Sequence, residues 1–495
     1  MSTLDQASDS YDRGTAPSSD SSFDLQNSLY KLEEQKRILR ESEEAKRKRA
    51  LGGENPKIQK VQPYLRNREH FAQYYSPKLV SIGPIHGGDK ESREKLKGGE
   101  RYKMTWAAMY LEFTKQSAQS LFDKIRTELP ALMELYTEEV IEGFRGNNNK
   151  KKQEELAWMF LLDGCAVLEF IRNLEEGNAK AEEKLKIKVD QMVLVQQDLL
   201  LLENQLPYRL LTLLSNKPEI PFNQWIVSFL EKHPMTPSTT TVTGSSNGAE
   251  EVKITLDGNQ PPHLLHLLRQ SIFENKRNKD EEGDGCREHD KFPTYRNIQE
   301  LRAAGIAVTK WKGKDKRLTD IAFHRGISLR PGGIGKLKLS PLTVDDLMQP
   351  TFLNLIAYEM CPDFKNGYEI SSYVAFMDSL IDHADDVKQL RKAGILHNVL
   401  GSDEEVAHVF NTISTDLMPD TDRYRYVRTL LEERYKTMRL TWLAQAVHDH
   451  FSSPWAFLGF VAAIVALLLT FVQTWYTIYA PPSNDTHPPP PPPHT

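Results

Sequence analysis

Four consecutive leucines, Leu199–Leu202, run directly into Glu203, Asn204, Gln205, Leu206 and Pro207. An apolar run of this kind belongs in a core, so the carboxylate and the two amides go in with it and need partners there. Pro207 has no N–H and disfavours helical geometry at the residue before it, which frees carbonyls upstream. Asn204 and Gln205 supply donors for those carbonyls, and Glu203 can accept from N–H groups or pair with a base. The expected role is a helix junction. A ligand site would require the buried carboxylate to line a cleft.

A second cluster joins Asp382, His383, Asp385 and Asp386. On one helix the three aspartates share a face, while His383 points about 100° away from Asp382. A metal would need ligands from elsewhere in the chain. The expectation is a solvated face opposite Met377, Leu380, Ile381 and Val387. His448 and His450 flank Asp449 and read as interface residues.

Known catalytic patterns are missing. The Gly-Gly-Ile-Gly-Lys string has Arg330 where a phosphate-binding loop needs its first glycine, and Leu337 where it needs Ser or Thr. No Gly-x-Ser-x-Gly elbow set between a strand and a helix is found, nor His-Glu-x-x-His, nor paired Cys-x-x-Cys. No catalytic, cofactor-binding or metal residue is therefore assigned, and no cofactor is expected. An enzyme would have to reveal itself as a deep pocket with convergent polar groups.

The elements that position these residues are mostly helical. The chain has 495 residues, 39% hydrophobic and 26% charged, with a formal net charge of −5, which gives no argument for nucleic acid. Cys165, Cys286 and Cys361 are too few and too unpatterned for a disulfide framework. Residues 1–23 are Ser-, Asp- and Thr-rich and expected to be disordered. Residues 24–52 read as a charged helix with Glu33–Arg37, Glu43–Arg47 and Glu44–Lys48 pairs. Leu25, Leu29, Leu32 and Leu39 sketch a short coiled coil that Lys36 interrupts.

Residues 61–450 form the body. Apolar positions at helical intervals predict helices over 100–123, 154–173, 184–214, 263–273, 298–305, 371–392 and 403–412. Polar loops interrupt at about 233–260 and 275–292. Alternation in Ile321–Phe323, Ile327–Leu329 and Leu337–Leu339, around the turn Pro331–Gly333, predicts a small β-meander insertion.

Near the C-terminus the expected solvent changes. Residues 455–479 contain no charged side chain and predict one transmembrane helix. Trp455 and Trp475 lie 20 positions apart, close to the thickness of a bilayer core at about 1.5 Å per residue. Trp455, Trp475, Tyr476 and Tyr479 would mark its interfaces. The apolar residues from Phe457 to Val472 favour insertion by about 5 kcal/mol. Arg423, Arg425, Arg428, Arg434, Lys436 and Arg439 precede it and are expected to form a lipid-facing basic segment; the tail, 480–495, has no Lys or Arg. That asymmetry, with no apolar core near the N-terminus, predicts a tail-anchored protein with its body in the cytoplasm. The tail carries an Asn484–Asp485–Thr486 acceptor and the run Pro488–Pro493, expected as extended polyproline II.

Eight blocks in fixed order give the chain a relative. They are SIGPIH at 81–86, LLDGCAVLEFI at 161–171, DLLLLENQLP at 198–207, ELRAAGI at 300–306, NLIAYE at 354–359, YVAFMDSLIDHADDVKQLRKAGIL at 373–396, GSDEEVAHVFN at 401–411 and PWAFLGFVAA at 454–463. Together they resemble the plant domain of unknown function 247 family from Val61 to Tyr479. Gly87, where the family commonly has a second His, Leu353, where it has Arg, and the Gly-rich insertion at 331–336 depart from its pattern. The resemblance implies a mainly α, multi-helix globular body with a C-terminal membrane segment and no established biochemical activity. Some grass members are associated with pollen-side self-incompatibility, which implies recognition. The expected function is a protein-recognition or signalling adaptor with a membrane and an unidentified protein as partners. A pollen-side determinant and an enzyme with an unrecognised site are the alternatives.

Overall fold

The computed structural model describes residues 32–37, 56–68, 72–87, 94–146, 149–217, 219–236, 261–273, 297–311, 316–325, 335–364, 367–415, 417–437 and 454–479. Two units separate, Met1–Asn55 and Pro56–Thr495. In the first, residues 32–37 are helical. Lys36 pairs with Glu33 at 3.2 Å and Arg37 with Glu34 at 2.6 Å, so Arg37 uses the carboxylate three residues back, not only the four-residue spacing expected. The remaining leucines of the coiled-coil pattern, apart from Leu32, lie outside the described residues, as do 1–23 and the tail.

The second unit is built around helix α3, Lys150–Glu175, with α1, Lys97–Thr114, and α2, Ala118–Met133, packed on it. From Leu156 to Leu174 nearly every side chain of α3 is buried, which is how a helix apolar on all faces settles in a soluble body. Helices α4, Asn178–Leu185, α5, Val189–Asp198, α6, Tyr208–Leu214, and α7, Phe222–Glu231, follow. The helix expected over 100–123 breaks at Lys115, and the one expected over 184–214 breaks at Lys186; both lysines take left-handed backbone, φ 51° and 55°. Nothing in a lysine advertises such a bend.

Helix α8, Leu264–Ile272, leads to α9, Ile298–Ala303, and the β insertion. Its strands are β1, Ile306–Lys310, β2, Ile321–His324, and β3, Gly335–Leu339. The sheet is mixed, in the order β1-β3-β2: Ile306 pairs in parallel with Gly335, and Phe323 in antiparallel with Leu337. The antiparallel pair was legible as alternation; β1 enters as its parallel partner, and Ile327–Leu329 lies outside the described residues. A parallel pair of short strands, β4, Leu342–Val344, and β5, Leu396–Asn398, stands apart.

Helix α10, Met348–Glu359, is buried at every position except Gln349. Helices α11, Glu369–Asp378, α12, Ala384–Lys392, and α13, Asp403–Ile413, complete this half. Residues 425–437, helix α14, lie on the body through Val427, Leu431 and Tyr435, with Tyr424 just before. The Tyr435 hydroxyl donates to Glu300 at 2.9 Å, and that of Tyr424 to the Thr319 carbonyl at 2.8 Å. The last helix, α15, runs Pro454–Tyr479. Val461–Tyr479 is long and apolar enough to cross a bilayer, and those side chains are exposed. Its three threonine hydroxyls, on Thr470, Thr474 and Thr477, each donate at 2.8 Å to the carbonyl four residues back, satisfying their polarity within the helix.

Candidate functional site

The junction singled out by sequence is not helical between α5 and α6. Asn204 Oδ1 accepts the Ile82 N–H at 2.6 Å, and its amide donates to the carbonyls of Val80 at 3.0 Å and Asp198 at 2.9 Å. The Gln205 amide donates to Leu199 and Leu201 carbonyls at 2.8 and 2.7 Å, while its oxygen accepts the Leu265 N–H at 3.2 Å. Pro207 opens α6, its carbonyl accepting the Leu210 N–H at 2.9 Å. Glu203, 2% exposed, accepts the Val61 N–H at 2.7 Å and an Arg66 guanidinium N–H. His86 Nε2 lies 3.0 Å from the same carboxylate, at an angle that makes no hydrogen bond.

Three residues that sequence reading passed over extend this arrangement. Asp198, fully buried, accepts the N–H groups of Lys78, Leu79 and Val80 at 2.7–2.8 Å. Burial nonetheless raises its pKa to about 6. Asp163 on α3 accepts the Gly83 N–H at 2.9 Å and the Lys103 ammonium at 2.7 Å. Burial opposes the charge of Lys103, and Asp163 and Glu100 outweigh it, so its pKa stands above the ordinary value. Asn354 on α10 accepts the Leu202 N–H and donates to the Tyr74 carbonyl, both at 2.8 Å. The signal was available: each is a polar residue beside or within an apolar run, the same logic that flagged Glu203.

These contacts converge on residues 56–87, whose described residues hold only short turns of helix. Besides the junction, the segment is held by Asp363, which accepts the Lys57 N–H at 2.8 Å, and by Leu135, whose carbonyl accepts the Ile58 N–H at 2.9 Å. Gly83 has φ +72°, and a Cβ there would come within 2.9 Å of the Gln205 carbonyl; only glycine tolerates both demands. The space beside Asp163 and Lys103 is about 10 Å³, room for no more than a single water.

A profile of the family described as "Plant protein of unknown function" matches residues 58–469. The chain belongs to the domain of unknown function 247 family. A UPF0481 protein of Arabidopsis thaliana is 27% identical over 434 residues, covering 81% of this chain and 82% of that one. A putative UPF0481 protein of the same plant is 26% identical over 151 residues, 30% of this chain and 28% of its own length. No solved structure matches the chain significantly. Both ends of the family match are informative, since it begins within the pinned segment 56–87 and ends inside α15.

A second buried charge cluster in this family member lies between α8, α10 and α11. Arg269, 3% exposed, donates to Glu359 at 3.1 Å, to the Gly367 carbonyl at 3.2 Å and to Glu369. Glu359 also accepts the N–H groups of Ile370 and Ser371 at 2.9 and 3.0 Å. Burial raises the Glu369 carboxyl above the usual range against the pull of Arg269. Sequence gave no reason to join three residues spread over a hundred positions. Burial also pushes the Cys165 thiol up to about 12 and that of Cys361 higher, the opposite of what a reactive cysteine needs.

The acidic cluster corrects the sequence expectation. Residues 371–392 are two helices, and His383 caps the second. Asp386 is fully buried, accepting the N–H groups of Asp382 and His383 at 3.1 and 3.0 Å. A free helix end attracts a carboxylate three positions in, which turned one member of the supposed solvated face inward. Among the described residues no group of three His, Cys, Asp or Glu could hold a metal ion. The absence of a Gly-x-Ser-x-Gly elbow also needs a correction of spelling. Gly244–Ser245–Ser246–Asn247–Gly248 fits the string, within the polar insertion and outside the described residues.

The basic segment divides. Arg423 lies 3.8 Å from Glu369 and its guanidinium sits 4.3 Å from the Phe273 ring centroid, while Arg428 lies 5.7 Å from that of Phe376. Arg434 is half-buried. Arg425 is exposed and pairs with Asp422; Lys436 is exposed and pairs with Glu432 at 3.0 Å. Arg439 lies outside the described residues. On α15, Trp475, Tyr476 and Tyr479 are exposed, and the rings of Trp475 and Tyr479 stand 4.7 Å apart. Trp455 lies in the first turn of the same helix. A groove of about 550 Å³ between α2 and α3, floored by Leu129, Pro130 and Met133, shares no residue with the junction or the Arg269 cluster.

Proposed function

We propose that this plant protein is a membrane-tethered recognition or signalling adaptor, its helical body carried on α15 and presented to another protein from the cytoplasmic side. The observation that carries the reading is α15 itself: 26 residues without a charge, its described side chains exposed. Apolar side chains so exposed are costly in water and at home in lipid. Body and anchor are also closely linked. Residues 438–453 alone separate α14 from α15, so the body stays within about 60 Å of the anchor even if that stretch is fully extended. Confinement to a surface raises the effective concentration toward other membrane-bound proteins without any new contact.

The buried carboxylates favour recognition over catalysis. Glu203, Asp198 and Glu359 are engaged with backbone N–H groups, which is the chemistry of holding loops in place. A catalytic carboxylate would face a cleft with room for substrate.

The test is protease protection of microsomes from plant cells expressing the full chain with a tag at each end. Loss of the N-terminal tag with survival of the C-terminal one supports the reading. The reverse pattern rejects the cytoplasmic placement, and release of the whole chain by alkaline carbonate rejects the anchor. Proximity labelling from the body then identifies the protein it meets; labelling no richer than that of an inert tethered control counts against the adaptor role.

A further inference from the structure

Three histidines converge on one face of α10. His233 follows α7, His263 caps α8 and His266 lies in its first turn; all three are buried. His233 Nε2 is 3.2 Å from the Thr351 hydroxyl, and His266 Nδ1 is 2.8 Å from that of Tyr358. The ring of His263 stands edge-on to Tyr358, centroids 4.9 Å apart.

The hydrogen bonds fix the charge state of two of them. Met235 donates its N–H to His233 Nδ1, and His266 donates its N–H to His263 Nδ1, each at 3.3 Å. A ring nitrogen that accepts carries no proton, so each neutral ring keeps its hydrogen on Nε2. For His233 that hydrogen meets Thr351. For His263 it meets no acceptor among the described residues: Nε2 is buried without a partner there. Adding a second proton at either Nδ1 would set N–H against N–H.

The carboxylates near the three rings are already engaged. The charge of Arg269 reaches His266 and disfavours a second cation there. Its carboxylates, Glu359 and Glu369, are occupied by Arg269 itself, with Arg423 beyond Glu369. Tyr358 meets both the His263 and His266 rings, and Asp363, whose charge reaches Tyr358, accepts the Lys57 N–H and the Gln59 amide. Among the described residues no carboxylate forms an ion pair with any of the three histidines.

We propose that His233, His263 and His266 form an acid-operated release, which seats α8 and the end of α7 on α10 while neutral and expels them when protonated. Burial holds His233 and His266 near pKa 4 and His263 well below its ordinary value. The sign follows: the seated state is fully stable above the free value of 6.5 and loses stability as pH falls from there toward 4. At pH 5 each histidine set free shifts the balance toward release by roughly 30-fold. Release would bare Leu265, Leu268 and Ile272, which share one side of α8, and Leu267 on the opposite side, all now in the core.

Hydrogen–deuterium exchange of the full-length chain in detergent micelles, corrected for intrinsic rates, tests this at pH 7 and pH 5. Amides of 264–272 should open at least 30-fold more often at pH 5, with α3 amides as the internal reference. Exchange in 264–272 that does not change with pH, or that changes only in step with α3, overturns the proposal. His263→Gln should remove about 30-fold of the pH dependence; an unchanged slope in the folded variant counts equally against it. Should that variant not fold, ring NMR of the wild-type histidines decides. None of the three should titrate while α8 stays seated, and titration of any of them near 6.5 in the seated state rules the release out.

Discussion

Leu199–Leu202 and Leu467–Leu469 are the same residue type in runs of similar length, and they end in opposite surroundings. The first four are 2%, 3%, 2% and 0% exposed, and the latter three are 70%, 60% and 62% exposed. The difference lies in their neighbours. Asp198 precedes the first run and Glu203, Asn204 and Gln205 follow it, and each binds backbone elsewhere in the body. The second run has no charged residue on its helix, and among the described residues no hydrogen bond joins a polar side chain of that helix to another element. Leucine brings the same preference for leaving water to both places; the bracketing polar groups decide whether the body takes it in.

The sharpest way to break this comparison is to place a charge in each run. Leu201→Arg should abolish cooperative unfolding of the body, because a buried charge without a partner costs several kcal/mol in a marginally stable fold. Leu467→Arg with Leu468→Arg should leave the melting of the body unchanged and move the chain from the membrane pellet to the soluble fraction, at about 3 kcal/mol per arginine near the helix centre. Loss of body melting in the second variant would erase the distinction.

Removing a bracket comes next. Asp198→Ala strands three backbone N–H groups and should destabilise the body by about 3–5 kcal/mol in denaturant titration. Lys103→Met, which leaves Asp163 buried and unpaired, should fall in the same range. Asp198 also gives a pH signature of defined sign. Its folded pKa, about 6, exceeds the unfolded 3.8, so the folded state takes up the proton first and this residue adds stability as pH falls from 6 toward 4. Asp198→Asn should be less stable at all pH values and should lack that rise, which is at most about 3 kcal/mol. A parallel pair of curves would show that Asp198 titrates normally.

The smallest effect concerns the basic segment. Arg425→Glu with Lys436→Glu should weaken association of the full chain's body with anionic vesicles by about 1 kcal/mol per base, read by flotation at low salt. Arg428→Gln, already turned onto Phe376, should change that association little.

What the sequence made legible follows the same division. Helix α3 and α15 were readable because long apolar periodicity and uninterrupted apolarity are properties of the residues themselves. The junction was readable because Pro207 and the two amides create a local demand. The breaks at Lys115 and Lys186 were not, since their backbone is set by how the flanking helices pack. Strand β1 was missed because its pairing partner lies almost thirty residues on. Asp386 and Arg269 were missed for a related reason: a buried charge is explained by its partner, and the partner is chosen by the fold.

The segment 56–87 has a consequence for synthesis. Its last anchors arrive late, since Lys57 waits 306 residues for Asp363 and Tyr74 waits 280 for Asn354. At about 5–20 residues per second, the growing chain carries this stretch only partly secured for tens of seconds. The final stitch closes only when most of the body has left the ribosome, shortly before the apolar helix follows it out. Completion of the body and emergence of the apolar helix are thereby brought close together in time.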